Sequence, residues 1–272
     1  MKVAEFFDLF VKELEQMPSL WSYYKFHTDA KSLDFRKAYF CQRLEYIAQQ
    51  IQQRDSLTWD IGCGYGTTAL FLALNGFKVH GTTLEFYINE LPQRMQYWSQ
   101  FGDVSGFTYD YEDLFDESVR RKNFDYIIIQ DTLHHLEPLQ DALRIISNHL
   151  KKDGSLVIVE ENGSNIIQNL KLYKQRGNKR IIEIYDERLQ KKILLGNENI
   201  RSINTWKNEL SKQGLTVEND SIHYARALPP AIFNKLGYDK AIEREQKLWR
   251  SNPLLKQYFF FGINFVARHR QV

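Results

Sequence analysis

The run LTWDIGCGYG, Leu57 to Gly66, holds the residue types best suited to chemistry in this chain. Asp60 closes a strand-like segment, and Gly62, Gly64 and Gly66 follow at every second position. A helical pattern, TTALFLAL, comes next. A strand that turns on glycines into a helix brings unpaired backbone N–H groups, and the positive end of a helix dipole, up to a nucleotide-like ligand. The spacing is G-x-G-x-G behind an acid. Position 67 is Thr, so the G-x-G-x-x-G of dinucleotide enzymes is absent. Cys63, between two of the glycines, reads as a small residue that fits, not as a nucleophile.

The elements that must hold this loop alternate from residue 57 onward. LTWDI is a strand, and the helix through Leu70 and Leu74 is expected to end at Gly76. KVHGTT is the second strand, followed by a helix that Pro92 should limit or kink. GFTY is the third. FDYIIIQ, the fourth, is a continuous apolar run suited to a central strand covered on both faces. Pro138 to Leu150 is helical, and Asp153-Gly154 turns the chain into a fifth strand, SLVIVEE. Such alternation implies parallel pairing through right-handed crossovers. Ahead of it, Phe6, Phe7, Phe10 and Leu14 share one helical face, stopped by Pro18. Phe35, Tyr39, Leu44, Ile47 and Ile51 suit a second helix. WSYYKFHTDAK between them has no clear period. After Asn162 a short helix, NIIQNLKLYK, leads to two β-rich arms around Asp186-Glu187, like a hairpin. A helix, INTWKNELSKQG, restores the rhythm, and LLKQYFFFGINFVARHR reads as a final buried strand.

Composition narrows the class. At 272 residues and 43% hydrophobic, the chain can bury the core of one large domain. It lacks the ~18 consecutive apolar residues of a membrane span. Glu5, Asp8, Glu13 and Glu15 interrupt the N-terminus, which reads as an amphipathic helix and not a signal peptide. Cys41 and Cys63 have no metal-ligand spacing, so neither a disulfide framework nor a metal site is expected, and a reducing cytoplasm is. The net charge of +2 hides an asymmetry: Lys171 to Lys207 holds ten Lys or Arg against four Asp or Glu. That stretch is either a solvated face or the meeting place of an anionic substrate.

Five segments in order resemble the class I S-adenosylmethionine-dependent methyltransferases of small molecules. They are DIGCGYG (Asp60 to Gly66), Glu85 in VHGTTLE, DYEDL (Asp110 to Leu114), FDYIIIQDTLHHLE (Phe124 to Glu137) and LKKDGSLVIVEEN (Leu150 to Asn162). The resemblance implies a Rossmann-like seven-stranded sheet in the order 3-2-1-4-5-7-6, with helices on both faces and strand seven antiparallel. It implies S-adenosylmethionine as cofactor and S-adenosylhomocysteine as product. For the matching positions it implies that Asp60, Gly62, Cys63, Gly64, Gly66, Glu85, Phe86, Asp110, Tyr111 and Gln130 surround that cofactor. Asp60 would take its ammonium, Glu85 the ribose hydroxyls, Phe86 an adenine face, and Asp110 with the backbone of Tyr111 the adenine edge. Glu112 and Asp113 compete with Asp110 for that place. The organisation expected is a helical cap (1–55), the cofactor-binding core (56–162), an insert after strand five acting as a substrate lid (163–202) and a segment completing the sheet (203–272).

Methyl transfer from a sulfonium needs alignment and dryness more than acid–base chemistry. An oxygen or nitrogen acceptor that must lose a proton needs a base beyond the ends of strands four and five. Asp131, His134, His135, Glu160 and Glu161 are the candidates there. His27, with Tyr23 and Tyr24, could form a lid, or simply pack. The expected acceptor is small or medium-sized and anionic, met by Lys179, Arg180, Lys191 and Lys192. Two other readings compete. An RNA substrate is disfavoured by near-neutral charge and by the lack of an appended RNA module. A cofactor- or partner-binding module without turnover would keep the same motifs. Oligomeric state and acceptor atom are open.

Overall fold

The computed structural model describes residues 1–26, 33–116, 123–251 and 253–270. His27 lies outside the described residues. Helix α1 (Val3–Gln16) buries Phe6, Phe7, Phe10 and Leu14, the one-faced set its spacing predicts. Pro18 does not only end it. Proline lacks the N–H that a first helical turn leaves unbonded, and here it opens α2 (Pro18–Tyr24), which takes up the aperiodic Trp21, Tyr23 and Tyr24. Helix α3 (Leu33–Gln50) completes the cap.

The core then alternates: β1 (Leu57–Ile61), α4 (Thr67–Leu74), β2 (Lys78–Thr83), α5 (Leu91–Trp98), β3 (Phe107–Tyr111), β4 (Phe124–Gln130), α6 (Leu139–His149) and β5 (Leu150–Glu161). Pro92 lies in the first turn of α5, so it starts this helix instead of kinking it. Strand β5 begins before the expected Asp153-Gly154 turn. The residues that precede Ser155 form an irregularity against β4, whose register shifts between Phe124 and Tyr126. Gly154 is needed there, because a Cβ would lie 2.9 Å from the Asp125 carbonyl oxygen.

The insert consists of α7 (Ile166–Arg176) and an antiparallel hairpin of β6 (Ile181–Asp186) and β7 (Lys191–Gly196). Asp186 shapes its turn by accepting from the backbone of Arg188 and Leu189 at 3.0 and 2.8 Å. The chain closes with α8 (Ile203–Ser211), β8 (Leu215–Val217), β9 (His223–Ala225), α9 (Pro230–Leu236), α10 (Tyr238–Ser251), α11 (Pro253–Phe259) and β10 (Gly262–His269). The expected terminal strand is therefore half helix: Leu254 to Phe259 lie in α11, and the strand starts only at Gly262.

The sheet runs β3-β2-β1-β4-β5-β10-β8, with β9 also paired to β10, making eight strands where seven are expected. The five core strands pair in parallel, and β10 is antiparallel to β5, β8 and β9. Alternation along the central strands splits the core. Ile128, Val157, Val159 and Val266 join the cluster under α1, α3, α4 and α5. Ile127, Ile129, Leu156, Ile158 and Phe265 join the opposite cluster with Leu143 of α6 and Trp206 of α8. The carboxyl ends of β1, β2 and β4 are thereby brought together under the cap, where open α/β sheets hold ligands.

Candidate active site

Strand β1 delivers Asp60, 2% exposed, directly into the glycine turn. Gly62, Gly64 and Gly66 have φ of 74°, 53° and 68°, a region open to glycine at little cost. The turn is pinned by Gly62 N and Cys63 N, which donate to Thr82 O at 2.8 and 3.0 Å. A Cβ at Gly62 would collide with Thr132, and one at Gly66 would come 2.8 Å from Leu91 and Phe107. At Gly64 only Tyr87 lies near, at 3.9 Å, so that peptide faces open space. Among the described residues the Asp60 carboxyl has no hydrogen bond or ion pair, and burial pushes its pKa up to about 7. Burial, with Asp60 adding to it, also raises the Cys63 thiol well above its ordinary range, which disfavours the thiolate.

The turn borders a cavity of about 790 Å³. Of the residues singled out by sequence, its wall includes Asp60, Gly62, Cys63, Gly64, Glu85, Gln130, Asp131 and His135. Gln130 is oriented by the Thr68 hydroxyl at 2.9 Å. Gly66 caps α4 behind the wall. Phe86 is 63% exposed, and its neighbour Tyr87 lines the cavity instead, stacked on Tyr65 at 4.2 Å. Asp110 points to solvent 3.6 Å from His80, and the Tyr111 hydroxyl donates to Asp186 of the insert at 2.6 Å. The wall beyond β3 is formed by Glu112, Asp113, Leu114 and Phe115.

Three of the five residues expected to handle protons, His134, Glu160 and Glu161, lie off the wall. Glu160 is fully buried against His134, accepting at Nδ1 at 2.5 Å and from the His134 backbone at 3.3 Å. Burial opposes a charge on His134, but Glu160, Asp131 and Glu198 outweigh it and hold the imidazole pKa up at about 9. Glu161 bonds to Gln168 and lies 3.9 Å from Arg226. His135 reaches the cavity, its Nδ1 donating to Gly196 O at 2.7 Å. Asp131, at φ 51°, is ion-paired to Arg43.

The other side of the cavity is aromatic and cationic, and sequence reading missed most of it. Helix α3 contributes Phe35, Arg36, Tyr39, Phe40 and Arg43, and α2 contributes Tyr23 and Tyr24. Arg226 enters from beyond β9, and both it and Arg43 sit over the Tyr39 ring, at 4.7 and 4.9 Å. Positions 35, 36, 39, 40 and 43 form one helical stripe, so the signal was present in the spacing. The insert supplies Ile193, Leu194, Leu195 and Glu198. Its lysines are engaged elsewhere: Lys191 with Asp113 at 2.8 Å and with Asp116, Lys192 with Glu183 at 2.7 Å. Lys179 and Arg180 are exposed and off the wall.

The chain resembles known proteins in sequence and in fold. It is 27% identical over 107 residues to the histidine protein methyltransferase 1 homolog of Dictyostelium discoideum, covering 38% of this chain and 34% of that protein. It is 27% identical over 122 residues to the ubiquinone biosynthesis O-methyltransferase of Rickettsia felis, covering 43% of this chain and 48% of that one. The matches thus span half or less of those relatives. In structure it superposes on the YcgJ protein of Bacillus subtilis with a TM-score of 0.56 at 14% identity, over 85% of this chain and 99% of that one. No helix of the described residues is long and apolar enough to cross a membrane. The methyltransferase domain family matches residues 33–219, from the α3 stripe through the glycine turn to the insert, and the chain belongs to that family, in its class I, S-adenosylmethionine-dependent form.

Proposed function

We propose that the chain transfers the methyl group of S-adenosylmethionine to a small acceptor carrying an acidic group. The observation that carries this reading is the two-sidedness of the cavity. One side has the glycine turn, Asp60 and Glu85, and the other has aromatic rings and three arginines. The first side fits the cofactor. A buried carboxyl with no partner suits an ammonium, the open peptide at Gly64 suits close approach, and the two oxygens of Glu85 suit paired hydroxyls. Asp113, held by Lys191, and Leu114 stand where a ring edge would be read. When bound, the cofactor supplies a methyl group already activated on a sulfonium.

What remains for the protein is alignment and exclusion of water. Tyr23, Phe35, Tyr39 and Phe40 supply apolar walls, and the side-chain Nε atoms of Arg36 and Arg43 are buried with no hydrogen-bond partner among the described residues. An unpaired buried donor is costly, and an acceptor carboxylate or phosphate would relieve that cost. An acceptor that must lose a proton meets Asp131 and His135 on the wall. A cavity of about 790 Å³ has room for the cofactor together with a small acceptor, which favours the small acceptor.

The test combines calorimetry with S-adenosylhomocysteine and transfer of a labelled methyl group into a metabolite extract and into total RNA. Saturable binding of the nucleoside, with label in acidic small molecules, is expected. Arg36→Gln should reduce labelling and leave the nucleoside affinity unchanged. Failure to bind the nucleoside, or label confined to RNA, would overturn the reading.

A further inference from the structure

We propose that His134, His135 and Glu198 form a divalent-cation site where the end of β4 meets the insert. Their candidate ligand atoms all lie within 4.8 Å of one another, and the two imidazole rings are 4.1 Å apart. Both rings are already oriented as ligands. A carbonyl oxygen can only accept, so the contact with Gly196 O places the His135 proton on Nδ1 and leaves a lone pair on Nε2. Glu160 orients the His134 ring in the same way through Nδ1, and His134 Nε2, 3.7 Å from Glu198 Oε2, gives up its proton when an ion binds. A ring nitrogen tied to a carboxylate or carbonyl behind the ligand nitrogen is the arrangement that fixes metal-binding histidines.

The surrounding charge agrees. Asp131 and Glu160 act on His134 together with Glu198, and the nearby cation, Arg43, is turned toward Asp131. Ligands around a tetrahedral zinc ion with bonds of ~2.1 Å sit ~3.4 Å apart. The half-exposed Glu198 side chain is the one free to close that gap. Two imidazoles and one carboxylate select zinc or a neighbouring transition ion over magnesium or calcium. Three protein ligands leave a coordination position open. His135 and Glu198 both line the cavity, so that position faces the acceptor side. An ion there would lower the pKa of an acceptor hydroxyl and leave Asp131 to take the proton. Only this last step rests on the proposed reaction.

The experiment is titration of the purified chain with zinc and with cobalt, following heat and the visible bands of bound cobalt. Uptake of one ion per chain is expected, weakened roughly tenfold or more by either His135→Gln or Glu198→Gln. S-adenosylhomocysteine binding by Glu198→Gln reports that the fold stands. No saturable uptake at ~1 mM metal, or uptake indifferent to both substitutions, would sink the ion site. Metal uptake by a chain that binds no S-adenosylhomocysteine would sink the donor reading alone.

Discussion

Asp60 is a carboxyl group with nowhere to place its charge. Its pKa rises from an unfolded value near 3.8 to about 7 because burial removes water and no partner replaces it. Below the unfolded value both states are protonated and no penalty exists. As the pH rises from the unfolded value to the folded one, only the folded protein must keep the proton, so stability of the ligand-free protein falls across that interval and levels off above it. The loss approaches about 4 kcal/mol above pH 7. Asp60→Asn should therefore melt higher than the parent at pH 8 and alike at pH 4, in thermal scans without ligand. In the proposed role the same carboxylate meets an ammonium, so affinity for S-adenosylhomocysteine should climb as the pH rises toward 7 and level off above it, and Asp60→Asn should flatten that climb. A flat profile in the parent would contradict it. At this scale the glycine turn was legible because positive φ leaves its mark on residue type. Arg226 was not, because nothing in its own neighbourhood of sequence reports a ring 4.7 Å away that belongs to α3.

At the scale of elements, one buried pair ties the cap to the glycine turn. Glu13 of α1 accepts from Arg94 of α5 at 2.8 and 2.6 Å and from Trp98 Nε1 at 2.9 Å. Arg94 also donates to Thr67 Oγ1 at 2.8 Å and to Tyr65 O. Both side chains are fully buried. Glu13→Gln would leave the guanidinium charge uncompensated in the core, and a loss of about 3–5 kcal/mol is expected in urea unfolding. Glu13→Met with Arg94→Met should recover much of that stability but not the nucleoside affinity, since the turn loses its brace at Tyr65 and Thr67. Equal loss in the single and double variants would contradict this account. In the sequence Glu13 reads only as an acid unsuited to a signal peptide. An acid inside an apolar helical face announces a buried partner, but not which helix carries it. Pro18 and Pro92 show the same limit: proline reports a helix boundary, and only the packed structure says on which side the helix lies.

Across the whole molecule, the basic charge of the insert and the aromatic, cationic side of the cavity separate. The hairpin is latched to the core by Tyr111 to Asp186, Lys191 to Asp113, and a bridge between Leu136 and Leu195. Replacing Lys179, Arg180 and Lys192 by alanine together should leave methyl transfer kinetics unchanged, because their charges face solvent or Glu183. Lys191→Ala should raise the acceptor KM by releasing the latch. Kinetics that follow the three outer cations would restore the insert as the anion-reading surface. Parallel pairing was readable from alternation and the central place of β4 from FDYIIIQ, since a strand buried on both faces must be apolar throughout, whereas the order of the strands followed only from the family resemblance. The eighth strand escaped notice because β9 is three residues long, too short to show a period.

The stacking of Arg43 and Arg226 on Tyr39 has a further consequence. It joins a helix that precedes the glycine turn to a loop beyond β9 that follows the insert. The side that would hold the acceptor is thus assembled from both flanks of the chain, while Asp60, Glu85 and Gln130 come from the continuous stretch between them. The two sides can change independently during divergence. Substitution at Tyr39, Arg43 or Arg226 would retune what is modified with Asp60, Glu85 and Gln130 unchanged, and this gives the scaffold a route to new acceptors.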